Sequence, residues 1–551
     1  MAIEQRNRPL LNRKEFQQMG LLPIATAAAH FFIDDKNDIG NIGMLVTSNT
    51  VAYLYHHDED GFVQIPSPAL AGTFGAGACG TFSPWSATIT ANGGSTTTIT
   101  VAAGSFNLTG VVVGKTVEIL TGSAGAQGQR RVITRMLNNA GTGTITLTVN
   151  QAFGAAIANT NTLRISSGRF YALGAGTLAA GSFRVFDVAT QAWASLSQTG
   201  LPGTWGTDGR MVLANRVKNL HDTGTLTAGS TTVATNLAAN GWTVDKWKGY
   251  WLNIIDGTGE GQCGKILSNT TTAITLVTAF GVAMDATSVY EIRDTGGFAF
   301  GTATAGAAST LTNSGKAWTT NQWTNYQVRI VSGTGIGQIR LIASNTATVL
   351  TTGSAWTTNP DTTSVYEIEG DENSIYLIGN AAVTMYKYSI SATTWATVSP
   401  GGARGGAPAA GATFNWIPDT ANLDWSTENA ILDGRYIYSF RGGAVATLDR
   451  YDIAGNTWAA ITYIGTETFT TGSGAAASGR YIYIRKDATN RYFKFSVTGN
   501  YLEPVATNFF PDGAALIGDR VWVKNFDPDG QIKWLYGMMN TGTVLHRIML
   551  Y

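Results

Sequence analysis

Histidine and acidic residues are densest in one short segment, His56-His57-Asp58-Glu59-Asp60. Imidazole and carboxylate groups are suitable ligands for a divalent metal, so metal binding is one interpretation of this cluster. The alternative is an exposed polar turn between two stretches that alternate like strands. A second acidic turn, Asp527-Pro528-Asp529-Gly530, lacks the later glutamate that completes a Ca²⁺ loop. We favour the turn in both places and predict no metal site.

A loop beginning at Trp416 carries residue types suited to sugars, namely Trp416, Asp419, Trp425 and Glu428. Hydrolysis of a glycosidic bond requires two carboxylates about 5–10 Å apart in an aromatic-lined cleft. Glycan binding without hydrolysis requires only the exposed rings. Both alternatives therefore predict that Trp416 and Trp425 are exposed. Elsewhere the sequence contains no nucleophile elbow, phosphate loop or Cys-His pairing, so we predict a protein that is not an enzyme and uses no cofactor.

Charge and composition argue against bulk binding to nucleic acid or membranes, a disulfide framework, a signal peptide and a membrane span. The 551 residues include 36 basic and 36 acidic ones, so no bulk attraction to nucleic acid or anionic membrane is expected. The only cysteines, Cys79 and Cys263, do not form a disulfide framework. The polar first 20 residues lack a signal peptide's apolar stretch, and no run approaches the roughly 18 apolar residues of a membrane span. We expect a chain that folds in the cytoplasm where it is made.

The elements that must position these residues are predicted to be strands. The chain has 66 glycines and few charged residues, and it is rich in the β-branched and aromatic residues that suit a pleated surface. One unit recurs, most clearly between Asp433 and Thr462. There an alternating aromatic strand leads to Gly442-Gly443, a second strand ends in Tyr451-Asp452, and Trp458 opens a third strand. This order predicts an antiparallel meander.

The repeats share an aromatic pair whose members are seven positions apart. The pairs are Phe186/Trp193, Tyr388/Trp395 and Tyr451/Trp458. A fixed interval predicts a short turn that brings the two rings together, where they could add about 0.5–1.5 kcal/mol beyond burial. Weaker copies begin at Met44, Ser478 and Gly518, which makes about six repeats.

The combination of Gly442-Gly443, Tyr451-Asp452 and Trp458 resembles the blade signature of kelch proteins. That resemblance implies an all-β protein in which about six blades stack around an axis as a β-propeller. The other repeats lack the double glycine. The resemblance therefore concerns the fold and implies no particular kelch function.

Two long stretches, 85–166 and 217–370, interrupt the blades and repeat each other. They contain three Gly-Gln pairs, at Gly128-Gln129, Gly261-Gln262 and Gly337-Gln338. The second and third copies are offset by 76 residues, both at the Gly-Gln pair and at a shared Val-Tyr-Glu-Ile strand. No helical pattern follows these glycines, which favours hairpin turns over a ligand-binding loop. We predict three copies of a small β-sandwich or barrel module, 85–166, 217–294 and 295–370, each insertion lying between the first and second strands of a blade.

The propeller is then predicted to comprise residues 41–84, 167–216 and 371–551. Residues 1–40 precede the first recognised strand and include Arg6, Arg8, Arg13 and Lys14. Such an arm is either disordered or folded on a neighbouring subunit.

As a whole, a Gly/Thr/Ala-rich β chain with repeated modules and no catalytic constellation resembles virion proteins of tailed bacteriophages. Tail nozzle and tail-tube subunits of short-tailed phages are propellers with inserted domains that assemble as rings. This resemblance implies a homo-oligomeric ring located in the virion, as a tail nozzle, tail-tube or fibre-attachment subunit. The arm and the modules would contact other virion proteins, and DNA would pass through a lumen without specific binding. A receptor-binding or glycan-binding propeller and a polysaccharide-degrading enzyme remain as alternatives.

Overall fold

The computed structural model describes residues 16–550 apart from 22–29, 34–41, 47–49, 57–60, 72–77, 106–111, 124–125, 207–208, 215–219, 238–241, 249, 260–261, 294–299, 372, 380, 403, 418–435, 471–472, 479–480, 487–490, 498, 507–520, 526–532 and 539–543. Within these residues the regular structure is β, apart from one 3₁₀ turn at Ala103–Ser105. No helix in this part of the chain is long and apolar enough to cross a membrane.

The strands follow in chain order. Those before the first insertion are β1 (Phe16–Leu21), β2 (His30–Ile33), β3 (Ile42–Val46), β4 (Ala52–His56), β5 (Gly61–Ile65) and β6 (Cys79–Ser83). The first insertion contains β7 (Ile89–Gly94), β8 (Thr98–Ala102), β9 (Thr116–Thr121), β10 (Arg130–Asn139), β11 (Thr144–Val149) and β12 (Thr162–Ile165). Next come β13 (Arg169–Leu173), β14 (Gly176–Thr177), β15 (Phe183–Asp187), β16 (Ala192–Leu196), β17 (Thr204–Trp205) and β18 (Arg210–Leu213).

The second insertion contains two successive sets of strands. The first set is β19 (Leu220–Thr225), β20 (Ala228–Gly229), β21 (Val233–Thr235), β22 (Trp251–Asp256), β23 (Cys263–Asn269), β24 (Ala273–Leu276) and β25 (Val289–Arg293). The second set is β26 (Phe300–Thr302), β27 (Ala305–Ala307), β28 (Thr310–Thr312), β29 (Gln327–Ser332), β30 (Ile339–Asn345), β31 (Val349–Thr352) and β32 (Val365–Glu369).

The remaining strands run to the end of the described chain. They are β33 (Ser374–Gly379), β34 (Ala382–Ser389), β35 (Thr394–Val398), β36 (Asn415–Ile417), β37 (Tyr436–Phe440), β38 (Leu448–Asp452), β39 (Thr457–Ile461), β40 (Gly474–Ser478), β41 (Tyr481–Lys486), β42 (Arg491–Ser496), β43 (Tyr501–Ala506), β44 (Val521–Asn525), β45 (Lys533–Met538) and β46 (Val544–Leu550).

Among the described residues, six antiparallel four-stranded sheets form the blades of a β-propeller. In order they are blade 1 (β2-β3-β4-β5), blade 2 (β6-β13-β15-β16), blade 3 (β18-β33-β34-β35), blade 4 (β36-β37-β38-β39), blade 5 (β40-β41-β42-β43) and blade 6 (β44-β45-β46-β1). The first strands of successive blades contact each other in the series β2, β6, β18, β36, β40, β44. These strands therefore surround the centre, and the fold expected from the repeat is confirmed.

Strand β1 supplies the outermost strand of blade 6, where Phe16 pairs with Ile548. The next strand, β2, is the first strand of blade 1. Strands from the two ends of the chain thus meet in one sheet, and their hydrogen bonds close the ring. The expected N-terminal arm, 1–40, is wrong from Phe16 onward, because residues 16–21 and 30–33 belong to the propeller. Residues 1–15 lie outside the described residues.

The aromatic pairs predicted from the seven-residue interval are direct cross-strand partners. Their ring centroids are 5.2 Å apart for Phe186 and Trp193, 5.1 Å for Tyr388 and Trp395, and 5.2 Å for Tyr451 and Trp458. In each pair one residue lies on the third strand of a blade and the other on the fourth. Because these rings also fill the apolar clusters between blades, the repeated motif stabilises both the hairpin and the stacking.

The loop after the second strand of blade 4 contains the double glycine. Gly442 has a φ of 74°, and a Cβ atom on it would lie 2.5 Å from both the carbonyl oxygen of Ala410 and the amide nitrogen of Ala412. Only glycine fits such a close approach of two backbone segments. The Gly-Gly of the blade signature is therefore required by packing in this blade.

The inserted strands form three small modules, each with its own apolar core. Module 1 (β7–β12) is a closed six-stranded barrel. Module 2 (β19–β25) and module 3 (β26–β32) have the same strand order as each other, and in both the strand that corresponds to β7 is divided into two short strands. The structure thus contains the three related modules that the sequence predicts.

Modules 1 to 3 lie on one side of the propeller. Module 1 connects β6 to β13, and modules 2 and 3 connect β18 to β33, so both insertions follow the first strand of a blade. In an antiparallel blade this connection lies on the same side as the turn between the third and fourth strands. A hydrogen bond supports this placement of the modules. Asn325 of module 3 donates to the carbonyl of Ile453, which lies in the turn between the third and fourth strands of blade 4. Within the described residues, the opposite side of the propeller carries none of the inserted modules.

Candidate functional site

Of the four residues predicted to contact sugars, Trp416 alone lies within the described part of the chain. Trp416 lies on β36, the first strand of blade 4, where only 4% of it is exposed. Its ring packs in the apolar cluster between blades 3 and 4. The expectation of an exposed ring at 416 is wrong, because the innermost strand of a blade presents its side chains to neighbouring blades. Asp419, Trp425 and Glu428 lie outside the described residues.

Both acidic turns considered as metal sites, residues 57–60 and 527–530, also lie outside the described residues. Within the described part of the chain, no three side chains of His, Cys, Asp or Glu are grouped so that they could hold a metal ion.

The Gly-Gln pairs form turns in which the glutamine side chain binds backbone. In module 3, Nε2 of Gln338 donates to the carbonyls of Gly335 and Thr358, at 3.1 and 2.8 Å. Its Oε1 accepts from the amides of Thr357 and Thr358. In module 2, Gln262 likewise donates to the carbonyls of Gly259 and Val282 and accepts from the amide of Val282. The glutamine thus joins a hairpin turn to a neighbouring loop, which confirms the turn interpretation.

Two of these turns meet at the junction of modules 1 and 3. A Cβ atom on Gly128 would lie 2.6 Å from the Cα atom of Gly337, and one on Gly337 would lie 2.0 Å from the carbonyl oxygen of Gln127. The guanidinium of Arg329 donates to the carbonyl of Gly128 at 2.8 Å. The two glycines therefore permit direct backbone contact between modules 1 and 3. Arg329 adds a side-chain hydrogen bond to this contact.

A buried group of charges surrounds this contact; we call it the junction network. It consists of Glu118, Arg130 and Arg164 of module 1 and Arg329, Glu367 and Glu369 of module 3. Arg130 donates to both carboxylate oxygens of Glu369, at 2.7 and 3.0 Å. Arg329 donates to the same carboxylate. One buried acid of module 3 thus binds guanidinium groups from two modules.

Within module 1 the junction network continues through Glu118. Its Oε2 atom lies 2.8 Å from Nη2 of Arg164 and 3.5 Å from Nε of Arg130. Burial alone would raise the pKa of Glu118, but the charges of Arg130 and Arg164 outweigh burial and hold that pKa below its ordinary value. Arg164 also stacks on Trp85, 4.2 Å from the ring centroid. The carboxylate is therefore ionised, and two guanidinium groups hold its Oε2 atom.

Module 2 completes the junction. The side-chain amide of Asn150 in module 1 donates to the carbonyl of Thr223 at 2.8 Å, and that of Gln151 donates to the hydroxyl of Thr225 at 3.0 Å. Both threonines lie on β19, an edge strand of module 2. Module 1 thus binds module 2 through polar side chains and module 3 through buried charges.

Side chains from modules 1, 2 and 3 line a cavity of about 210 Å³ at this junction. Its charged lining residues are Arg130, Arg131, Arg329 and Glu291. The guanidinium of Arg131 donates to the carbonyls of Ala152 and Arg130 and to Oε1 of Gln129, and burial lowers its pKa to about 10. Since these arginines are bound to backbone and to carboxylates, the arrangement is suited to holding modules together.

Sequence reasoning missed the junction network. Arg130-Arg131 directly follows the first Gly-Gln pair, and Glu369 directly follows the last Val-Tyr-Glu-Ile strand. The position of these charged residues, directly after the Gly-Gln and Val-Tyr-Glu-Ile motifs, is a signal that could have identified them. Nothing in their spacing could have indicated that they bind each other, because the pairing depends on how the folded modules pack.

The sequence matches no known family model, and no curated protein has a significantly similar sequence. Among solved structures, a chain of the mitotic checkpoint complex is similar with 8% identity and a TM-score of 0.32, covering 100% of this chain and 97% of that one. YCF48 bound to D1 peptide has 8% identity and a TM-score of 0.30, covering 98% and 97%. Hydrazine synthase of Kuenenia stuttgartiensis has 13% identity and a TM-score of 0.20, covering 31% and 40%. Similarities at this level do not indicate an activity.

Proposed function

We propose that this protein is a structural, non-enzymatic subunit of a tailed-bacteriophage virion, of the tail nozzle or tail-tube type, and that it works as a ring of identical copies. The phage assignment is supported by the resemblance of the whole chain to such proteins: low charge, a composition rich in Gly, Thr and Ala, and modules inserted into a propeller. The junction of the modules supports a structural role independently of that resemblance.

One observation carries the structural role, namely the pairing of Arg130 with Glu369 across two modules. A buried ion pair stabilises little overall, but it penalises every arrangement in which either charge loses its partner. The modules are therefore held in one mutual orientation. Rigid placement of modules is useful to a subunit that must present the same surface in every copy of an assembly.

The layout of the molecule supports the same proposal. Modules 1 to 3 lie on one side of a closed propeller, and the other side carries only loops between strands in the described residues. A ring of such subunits would have two chemically different faces, one for each neighbouring layer of a tail. The net charge of zero is compatible with close packing of copies and with DNA that passes a lumen without being bound.

Imaging of the purified protein by negative stain, together with its mass in solution, tests this proposal. We expect closed rings, either alone or after mixing with the other virion proteins of the same phage. A monodisperse monomer under both conditions would overturn the proposal. Binding to a glycan array would favour the receptor-binding alternative, which is weakened by the burial of Trp416.

A further inference from the structure

Modules 2 and 3 share one fold but differ on the outward side of the strand pair that follows the Gly-Gln turn. In module 2, Leu267 on β23 is 51% exposed and Val277, just after β24, is 56% exposed. We call the surface around these two side chains the β23–β24 face. The residues at the same places in module 3 are Ala343 and Gly353. One module thus exposes large aliphatic groups where its copy has almost none.

Backbone geometry establishes that these positions are equivalent. Ile266 pairs with Leu276 in module 2 and Ile342 pairs with Thr352 in module 3, each followed by the same irregularity in register. The amide of Val277 donates to the carbonyl of Lys265 at 2.9 Å, and that of Gly353 donates to Leu341 at 2.8 Å. The nearest atom to a Cβ on Gly353 would be 3.7 Å away, so the fold does not require glycine there. The difference lies in the side chains alone.

The apolar character continues around the tip of the same hairpin. Leu237 and Val244 are 69% and 61% exposed, and the corresponding residues of module 3 are Ser314 and Thr320. Val244 lies at the tip because the amide of its neighbour Asp245 donates to the carbonyl of Asn269 at the end of β23. Module 3 exposes one large aliphatic residue on its own face, Leu341, where module 2 has Lys265. Single exposed aliphatics are ordinary, whereas several on one module and a single one on its copy mark a candidate interaction surface.

In module 1, the position equivalent to Val277 binds another module. Asn150 donates its backbone amide to the carbonyl of Val132, as Val277 does to Lys265, so Asn150 is the equivalent of Val277. The side chain of Asn150 binds the edge strand β19 of module 2. This position of the module fold therefore already forms an interface between modules within the chain. In module 2 the same position is exposed and apolar, and no other module covers it within the described part of the chain.

We propose that the β23–β24 face of module 2 binds a second copy of this chain. The inference rests on the proposed ring, because a contact between different surfaces of identical neighbours forms a ring when the rotation between them closes. Two features favour an identical copy as the occupant. The same position already binds a module of this fold, and the zero net charge of the chain does not oppose self-association.

The test exchanges the two residues for those of module 3, Leu267→Ala together with Val277→Gly. We expect the concentration at which half of the rings dissociate to rise at least tenfold, measured by mass photometry and sedimentation velocity. Both positions are exposed, so the thermal unfolding of the variant should match that of the wild type. The matched control is Leu341→Lys, which removes the exposed aliphatic of module 3 and should leave the rings intact.

The outcomes separate this inference from the proposed function. If the wild type forms rings and the exchanged variant forms them equally well, the β23–β24 face is not the contact, while the ring stands. If the variant keeps its rings but no longer binds another virion protein, the occupant is that protein and the inference is wrong. If the wild type forms no rings at all, both proposals fail.

A second measurement does not depend on weakening the contact. Val277→Cys, labelled with a maleimide photocrosslinker, should yield products that join two copies of the chain. Products confined to single chains would overturn the inference.

Discussion

The guanidinium of Arg130 donates two hydrogen bonds to the carboxylate of Glu369, although the two residues are 239 positions apart in the chain. Arg130 begins β10 of module 1, and Glu369 ends β32 of module 3. Both side chains are about 1% exposed, so each charge depends on its buried partners rather than on water. The relative position of modules 1 and 3 thus depends on the ion pair between Arg130 and Glu369.

Arg130→Met should therefore loosen the modules. The change leaves Glu118 and Glu369 with fewer counter-charges in a buried site, and loss of one partner of a buried pair costs about 3–5 kcal/mol. Glu369 still binds Arg329, so we expect a value near the lower end of that range. Urea unfolding and limited proteolysis of the modules measure the effect. Arg340→Met is the control, because Arg340 binds the carbonyls of Ala355 and Ile339; equal losses in both variants would contradict the prediction.

Acid should weaken the junction network through Glu118. The pKa of this carboxyl is lower in the folded protein than its ordinary value of 4.5, so the unfolded chain takes up a proton first as the pH falls. The contribution of Glu118 to stability is therefore complete above about pH 5 and is lost progressively below about pH 4.5. Urea midpoints measured between pH 7 and pH 3 should fall across this window.

Glu118→Gln provides the comparison for this pH dependence. The variant should be less stable at pH 7, because Arg130 and Arg164 lose a counter-charge, and its midpoints should fall less steeply below pH 4.5. Parallel curves for the variant and the wild type would show that other carboxyls dominate the acid response.

The aromatic pairs of the blades should differ in how much they stabilise. Trp458 is buried, whereas Trp193 is only partly buried in the corresponding place of blade 2. Trp458→Ala should cost about 3–5 kcal/mol of unfolding free energy, and Trp193→Ala clearly less. A double-mutant cycle with Tyr451→Leu should yield a coupling of about 0.5–1.5 kcal/mol between Tyr451 and Trp458. Additive effects in that cycle would mean that the rings contribute only through burial.

These pairs explain why much of the fold could be predicted from the sequence. A seven-residue interval such as that between Tyr451 and Trp458 is local, so the hairpin that it indicates does not depend on distant parts of the chain. The same holds for the Gly-Gln turns, in which Gln338 binds atoms within 20 residues of itself. Local motifs that repeat are sufficient to identify blades and modules.

What could not be predicted depends on contacts between distant elements. The pairing of Phe16 with Ile548 joins strands that lie more than 500 residues apart, so the local sequence before the first clear repeat indicates only an arm. A sugar-binding loop beginning at Trp416 requires an exposed ring there, but the strand of Trp416 is the innermost of a blade. Arg130 and Glu369 each look like ordinary surface charges until the modules are packed.

Gly442 provides the sharpest test of the blade signature. Alanine at this position would need a φ of 74°, which costs about 1 kcal/mol for a residue with a Cβ atom. In addition, its Cβ would lie 2.5 Å from two backbone atoms of the facing loop, which cannot move as a flexible side chain could. We therefore expect Gly442→Ala to lower the unfolding free energy by at least about 2 kcal/mol. The measurement is chemical denaturation followed by tryptophan fluorescence.

Gly203 is the matched control for this substitution. Apart from its chain neighbours, no described residue has an atom within 4 Å of a Cβ built on Gly203, and its φ does not lie in the left-handed region. Gly203→Ala should therefore change stability by less than about 1 kcal/mol, with a small gain expected because alanine restricts the unfolded chain. If Gly442→Ala is as mild as Gly203→Ala, the loop of blade 4 can move away from residues 409–412, and the double glycine is not required by packing.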